Sequence, residues 1–223
     1  MEKGDVSMAA SIFETMTTLF EGPEAAFEWK LLQRFWETLA QTGKPISLDV
    51  LTRELACTRS QVVEVLDQYP EAEYDQFGQL IGLGLTLRPT VHQLFLEERS
   101  FSAWCGPDAL IFPVVLKRPA RIVSTCPVTG ARIEVTLTPD HLESLSPTNA
   151  VISMAKDGGM LKNLKETSCI RQNGCNNQFF FANPEVAALW VSEHADFIIF
   201  PVEEIFEGLR QFAQQQMTLA TRT

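Results

Sequence analysis

Apolar residues recur at helical spacing through the first third of the chain, then give way to short strand-like runs. Over residues 24–41, Phe27, Leu31, Leu32, Phe35 and Leu39 fall on one helical face. Gly43-Lys44-Pro45 ends that helix. Ser47 is placed to cap a second helix carrying Val50, Leu51, Leu55 and Ala56. Thr58 or Ser60 starts a third, with Val62, Val63, Val65 and Leu66, stopping near Pro70. Residues 73–82 read as two strands about a turn at 76–78. Three helices and a hairpin predict a winged helix-turn-helix lobe over 24–85. Residues 1–23 read as a lead-in with one short helix near 9–20.

Beyond Thr86 the pattern predicts strands at 91–96, 120–124, 132–137, 150–154 and 197–200. The second and third form a hairpin around Cys126-Pro127-Val128-Thr129-Gly130. Asn183-Pro184 caps a helix through His194, with proline at its first position. A last amphipathic helix covers 202–217, and 218–223 reads as a frayed tail. Asp157-Gly158-Gly159 opens a polar stretch, read as mobile, to about Asn173. The expected class is α+β: the winged-helix lobe packed on a mainly antiparallel sheet core with flanking helices. The second domain, 86–223, is the expected catalytic one.

Composition narrows the functions. A net charge of −10 repels polyanions. The third helix carries Glu64 and Asp67, and Glu71 and Glu73 follow it. A helix that enters the major groove needs basic or amide groups, so no nucleic-acid partner is expected. No apolar run approaches the roughly 20 residues of a membrane span, so no membrane partner is expected. The acidic start Met1-Glu2-Lys3-Gly4-Asp5 does not read as an export signal, and a cytoplasmic location is expected. Five cysteines without a Cys-x-x-Cys pair suggest reduced thiols and neither a zinc ribbon nor a thioredoxin pair. The histidines, His92, His141 and His194, are scattered. No phosphate loop or dinucleotide fingerprint occurs, so no organic cofactor is expected.

Two cysteines flank the densest apolar segments. Cys105 lies in Trp104-Cys105-Gly106-Pro107-Asp108-Ala109-Leu110-Ile111-Phe112-Pro113, and Cys175 precedes Phe179-Phe180-Phe181. Gly106-Pro107-Asp108 reads as a helix start that Pro113 stops. Cys105 would sit at the N-cap, where free N–H groups favour the thiolate. Asp108, beside apolar neighbours, would be desolvated and hold its proton. Two soft sulfurs and a protonated carboxyl can grip a soft metal and protonate what is attached to it. The plainer alternatives are a buried structural cysteine at 105 and a solvated helix-start acid at 108. Cys126 reads as structural and Cys57 as incidental. Cys169 competes with Cys175 as the second thiol.

These residues resemble the organomercurial (alkylmercury) lyases of bacterial mercury resistance, from about Leu31 to Met217. The similarity lies in Glu73-Tyr74-Asp75 with Gly78 and in Ile81-Gly82-Leu83-Gly84-Leu85-Thr86-Leu87-Arg88. It continues in residues 103–113, in Cys126 with Thr129-Gly130, and in Cys175 with Phe180-Phe181-Ala182. Gly106-Pro107 and Asn177-Gln178 depart from the pattern. The resemblance implies catalysis and mercury binding by Cys105, Cys175 and Asp108, and an N-terminal lobe that does not read DNA. Mercury would be substrate and product, with no resident cofactor. The partners implied are an organomercurial and, as Hg(II) acceptor, small thiols or a mercuric reductase. The rival readings are a thiol-based winged-helix sensor and a mercury- or metal-binding protein without turnover.

Overall fold

The computed structural model describes residues 8–156, 171 and 174–221. Cys169 and most of the polar stretch 157–173 lie outside them.

Helix α1 (Met8–Leu19) precedes α2 (Pro23–Thr42), α3 (Leu48–Leu55) and α4 (Arg59–Leu66). Local signals set their ends. Gly43 terminates α2 in the left-handed conformation (φ 64°), its N–H bonding the Leu39 carbonyl. Ser47 caps α3 by accepting from the Val50 N–H. Thr58 and Gln61 form a reciprocal capping box at α4. Strands β1 (Glu73–Tyr74) and β2 (Leu80–Leu83) follow as the expected hairpin, and Ile46 bridges to Leu80.

The hairpin continues into the main sheet. A bend at Gly84 leads to β3 (Leu85–Thr86), which pairs with β5 (Arg99–Ala103). With β4 (His92–Leu96), β6 (Ala120–Thr125), β7 (Arg132–Leu137) and β8 (Leu142–Ser146), the eight strands run in the order β1-β2-β3-β5-β4-β6-β7-β8. Every pairing is antiparallel. A second, three-stranded antiparallel sheet has β9 (Val151–Ala155) between β10 (Phe180–Phe181) and β11 (Phe197–Pro201). Helix α6 (Pro184–Glu193) begins at the Asn183 cap, whose Oδ1 accepts from the Val186 N–H.

Helix α5 (Gly106–Leu116) is the pivot. Ten of its eleven residues are buried, all but Asp108. It packs against α7 (Val202–Ala220) and α2 and touches strands of both sheets. The expectation that Pro113 stops this helix is corrected: the helix passes through it to Leu116. An internal proline costs about 3 kcal/mol, but burial of apolar side chains on every face, at about 1.5–3 kcal/mol each, outweighs that. The actual stop is Lys117, left-handed at φ 53°. Likewise α7 runs to Ala220, three residues past the expected end, because Ala220 is itself buried.

Candidate active site

Strand β5 delivers the chain to the start of α5. Cys105 has extended backbone (φ −146°, ψ 173°) and serves as N-cap, its Sγ accepting from the Asp108 N–H at 3.5 Å. Cys175 stands at the head of a single 3-10 turn, Cys175–Asn177. Three bonds hold that turn against α5 and β9. The Gly106 N–H donates to the Gln178 carbonyl at 2.8 Å. The Ser153 hydroxyl donates to the Asn177 carbonyl and accepts from the Phe179 N–H, both at 2.9 Å. Gly106 leaves room for this approach. A Cβ there would lie 3.0 Å from Ile152 Cδ1 and 3.3 Å from both the Gln178 carbonyl and the Phe180 ring.

The Cys105 and Cys175 sulfurs and one Asp108 carboxyl oxygen lie within 4.8 Å of one another. Among the described residues no other group of three histidine, cysteine or acidic side chains is so arranged. Cys105 is 3 % and Cys175 8 % exposed. Among the described residues Cys57, Cys105, Cys126 and Cys175 form no disulfide.

Burial decides the protonation. It pushes the Cys105 thiol well above the ordinary value. Hydrogen bonding to Cys175 and the negative charge of Asp108 add to the rise, and the bond from the Asp108 N–H only partly opposes it. The expectation of a thiolate favoured by the helix terminus is therefore corrected: desolvation wins over one long N–H···S bond. Burial also raises the Asp108 carboxyl, to about 6. Bonds from Cys105 and the charge of Arg171 pull it down and lose. Asp108 Oδ2 is buried without a hydrogen-bond partner among the described residues. An acceptor left unsatisfied in this way favours the neutral acid.

Three neighbours of the site were not among the expected site residues, although Glu73 and Gly84 lie in segments that carry the family resemblance. Arg171 pairs with Glu73, donates its N–H to Glu71, and lays its guanidinium 4.9 Å from the Trp104 ring. Glu73, one of the acids that follow the third helix, is buried and also accepts from the Thr86 hydroxyl. Gly84 lies against Asp108 and Phe112. Of the phenylalanines after Cys175, Phe180 lies against the helix start at Gly106, whereas Phe179 stacks on His92. His92 bonds Ser124 at 2.9 Å, and burial lowers its pKa to about 3, so it stays neutral.

The family model for alkylmercury lyase (MerB) matches residues 85–214. An alkylmercury lyase of Streptomyces lividans is 32 % identical over 212 residues, covering 95 % of each chain. The chain belongs to the alkylmercury lyase family. The relative from Staphylococcus epidermidis is 33 % identical over 85 % of this chain and 84 % of its own length. That from Pseudomonas putida is 35 % identical over 74 % of each. A crystal structure of the mercury-bound form of MerB2 matches with a TM-score of 0.72, over 91 % of this chain and 98 % of that one. Its sequence identity is 23 %, so it speaks for the fold alone. For an alkylmercury lyase the contents of the site are chemically apt: two soft sulfurs beside a carboxyl whose pKa is raised toward neutrality, so that it can take up and give back a proton.

Proposed function

We propose that Cys105, Cys175 and Asp108 carry out the reaction of the family, protonolytic cleavage of a carbon–mercury bond. The observation that carries this reading is the convergence of two thiols and a high-pKa carboxyl within 4.8 Å.

The substrate is an alkyl- or arylmercury cation, delivered as its thiol adduct R–Hg–SR′. Cys175 and Cys105 bring their protons with them. One thiol exchanges for R′SH, and its proton leaves on that thiol. As the second sulfur binds mercury, its proton passes to the Asp108 carboxylate. Donation from two sulfurs puts electron density on the mercury-bound carbon, and Asp108 delivers the proton there. The balance is R–Hg–SR′ plus two cysteine thiols giving R–H, R′SH and mercury held by two cysteine sulfurs. Mercury stays Hg(II) throughout. General-acid catalysis of this kind needs a carboxyl poised near the working pH, and burial supplies it. Asp108 then acts as a weak oxygen ligand to Hg(II), which an external thiol or a mercuric reductase removes.

We assign the chemistry to the reducing cytoplasm, where thiols are plentiful and Cys57, Cys105, Cys126 and Cys175 stay unpaired. Among the described residues no helix is long and apolar enough to cross a membrane. We also read α2–α4 with the β1–β2 hairpin as a winged-helix lobe, residues 24–85, that serves the catalytic part, residues 86–223. What supports a packing role over DNA reading is the acidic α4 region and the continuation of the hairpin, through β3, into the main sheet.

The test is single-turnover release of benzene from phenylmercury with excess thiol, alongside mercury stoichiometry. Asp108→Asn is expected to capture mercury and release almost no benzene. Cleavage near the wild-type rate would move the proton's source to a thiol.

A further inference from the structure

The acid of the site is walled by a corner of the other end of the chain. Strands β2 and β3 fold back on each other around a single residue, Leu83 pairing with Leu85 across Gly84. Gly84 has φ +73°, a conformation that glycine adopts at no steric cost. Both carbonyls of the corner are tied down. That of Leu83 accepts from the Trp36 indole N–H at 2.6 Å, and that of Gly84 accepts from the Trp104 N–H at 2.8 Å. Trp104 immediately precedes Cys105. Trp36 also packs edge-to-face on Phe112, with ring centroids 5.3 Å apart.

Phe112 lies one turn after Asp108 on α5, so the two side chains share a face. The bare Cα of Gly84 abuts both. A Cβ there would stand 3.0 Å from Phe112 Cζ and 3.6 Å from Asp108 Oδ1. The first distance is too tight to accept without movement. Phe112 is fully buried and backed by Trp36, so the ring has little freedom to yield. The second is ordinary van der Waals contact, so an added Cβ would press on the ring and close the space beside the Asp108 carboxyl.

We propose that Gly84 is a positioning residue for proton transfer: the pinned corner is the wall that fixes where the Asp108 carboxyl stands relative to the two sulfurs. This rests on the reading of Asp108 as the proton donor. Gly84 touches no reacting atom and acts only through that carboxyl. A side chain there pushes on Phe112, which shares the helix face with Asp108, and fills the space beside the carboxyl, so that the carboxyl's line toward the carbon changes while both sulfurs stay in place.

The experiment uses the full chain with phenylmercury as probe and reads mercury capture, single-turnover benzene release and the pH dependence of that release. Gly84→Ala is expected to bind mercury with wild-type stoichiometry while cleavage falls roughly 10²-fold, the scale of an ångström-sized misplacement. The pH midpoint of cleavage shifts with it. Gly84→Asn tolerates the left-handed backbone but still adds the Cβ, so it is expected to stay slow. Recovery in Gly84→Asn would assign the loss to backbone strain and overturn the proposal. Trp36→Phe keeps a ring on Phe112 and frees the Leu83 carbonyl. It is expected to shift the pH midpoint with capture unchanged, and it decides the matter if the Gly84 variants do not fold. Wild-type rate and midpoint in Gly84→Ala, or an unmoved midpoint in Trp36→Phe, would reduce the corner to packing. Asp108→Asn, run in parallel, separates this outcome from failure of the donor assignment: if that variant cleaves normally, the donor reading itself is wrong.

Discussion

Cys105 and Cys126 are both almost wholly buried, at 3 % and 1 % exposure, and their thiols are driven in opposite directions. Cys126 sits shallowly, under a turn whose next four residues are exposed. Burial tends to raise its pKa. Its sulfur, however, accepts from the Thr129 hydroxyl and from the N–H groups of Ala182, Thr129 and Val128, which together bring it below the usual value. Cys105 sits deep, with one long N–H···S bond at 3.5 Å and an acid beside it, and its pKa rises. A low thiol pKa is commonly the mark of a reactive cysteine. Here the more acidic thiol is the one bound into a turn, and the less acidic one belongs to the site. On the proposed assignment of Cys105 to the reaction, the inversion has a reason. Protonolysis needs a proton as well as a sulfur ligand, and a thiol that keeps its proton until mercury arrives supplies both.

The strongest way to break this contrast is to remove the sulfurs one at a time. Cys105→Ser and Cys175→Ser are each expected to abolish benzene release, since a hydroxyl is a poor ligand for a soft cation. Cys126→Ser is expected to keep cleavage close to wild type. Loss of cleavage in folded Cys126→Ser, or its survival in Cys105→Ser, would reverse the roles of the two cysteines.

Next in size is the acid. Asp108→Asn is expected to lose about 10²–10⁴-fold in the cleavage step, the usual contribution of a general acid. Mercury capture should persist, as measured by mercury retained per protein after removal of free metal. Asp108→Ser is expected to be milder, because a hydroxyl or a water it holds can relay a proton. If Asp108→Asn loses capture and cleavage together, the carboxyl serves the metal and not the proton.

Much of this contrast was open to sequence reasoning, and the part that was not has a physical reason. The apolar run after Cys105 already implied a desolvated Asp108, and the phenylalanines after Cys175 implied a second apolar wall. The direction of the Cys105 shift was misjudged because a helix N-terminus and burial compete, and local sequence shows only the first. Pro113 misled for a similar reason: helix propensity is local, whereas the packing of α5 between α7, α2 and the sheets is not. Strands β5 and β8 were not anticipated. Arg99-Ser100-Phe101-Ser102-Ala103 and Leu142-Glu143-Ser144-Leu145-Ser146 are too polar to signal strands, and they are fixed by their partners β4 and β7. Arg171, Glu73 and Gly84 come to the site from outside the two cysteine segments; Glu73 and Gly84 lie in segments that carry the family resemblance, but their contacts with the site are tertiary and local sequence does not show them.

A smaller effect lies in stability. Asp108 titrates near 6 in the folded chain against an ordinary 3.8. Below pH 4 both folded and unfolded states hold the proton and there is no penalty. Between about 4 and 6 the folded state keeps a proton that the unfolded state releases, so stability falls as pH rises. Above about 6 the folded carboxylate is ionised too, and the penalty is full and flat. Asp108→Asn removes it. The variant is expected to gain on wild type by on the order of 2–3 kcal/mol between pH 4 and pH 7. Denaturant midpoints at the two pH values check this. An unchanged difference would mean that Asp108 is solvated, and its fitness as a proton donor would go with its burial.

The smallest expected effect tests the other half of the contrast. If Cys126 is held as a hydrogen-bond acceptor, Cys126→Ala strips the turn's N–H groups and the Ala182 N–H of their partner, while Cys126→Ser leaves them an oxygen. The turn donors lie close to solvent and can bond water instead, which limits the loss. Cys126→Ala should therefore be less stable than Cys126→Ser by only about 1 kcal/mol, the net worth of a typical hydrogen bond. Both variants should release benzene at the wild-type rate. Thiolate absorbance gives the independent check. The first thiol to ionise on raising the pH of the folded protein, below the ordinary value of 9, should vanish in Cys126→Ser and persist in Cys105→Ser. Should it vanish in Cys105→Ser instead, the site would hold a ready thiolate, and the proton for the carbon would have to come from Asp108 alone.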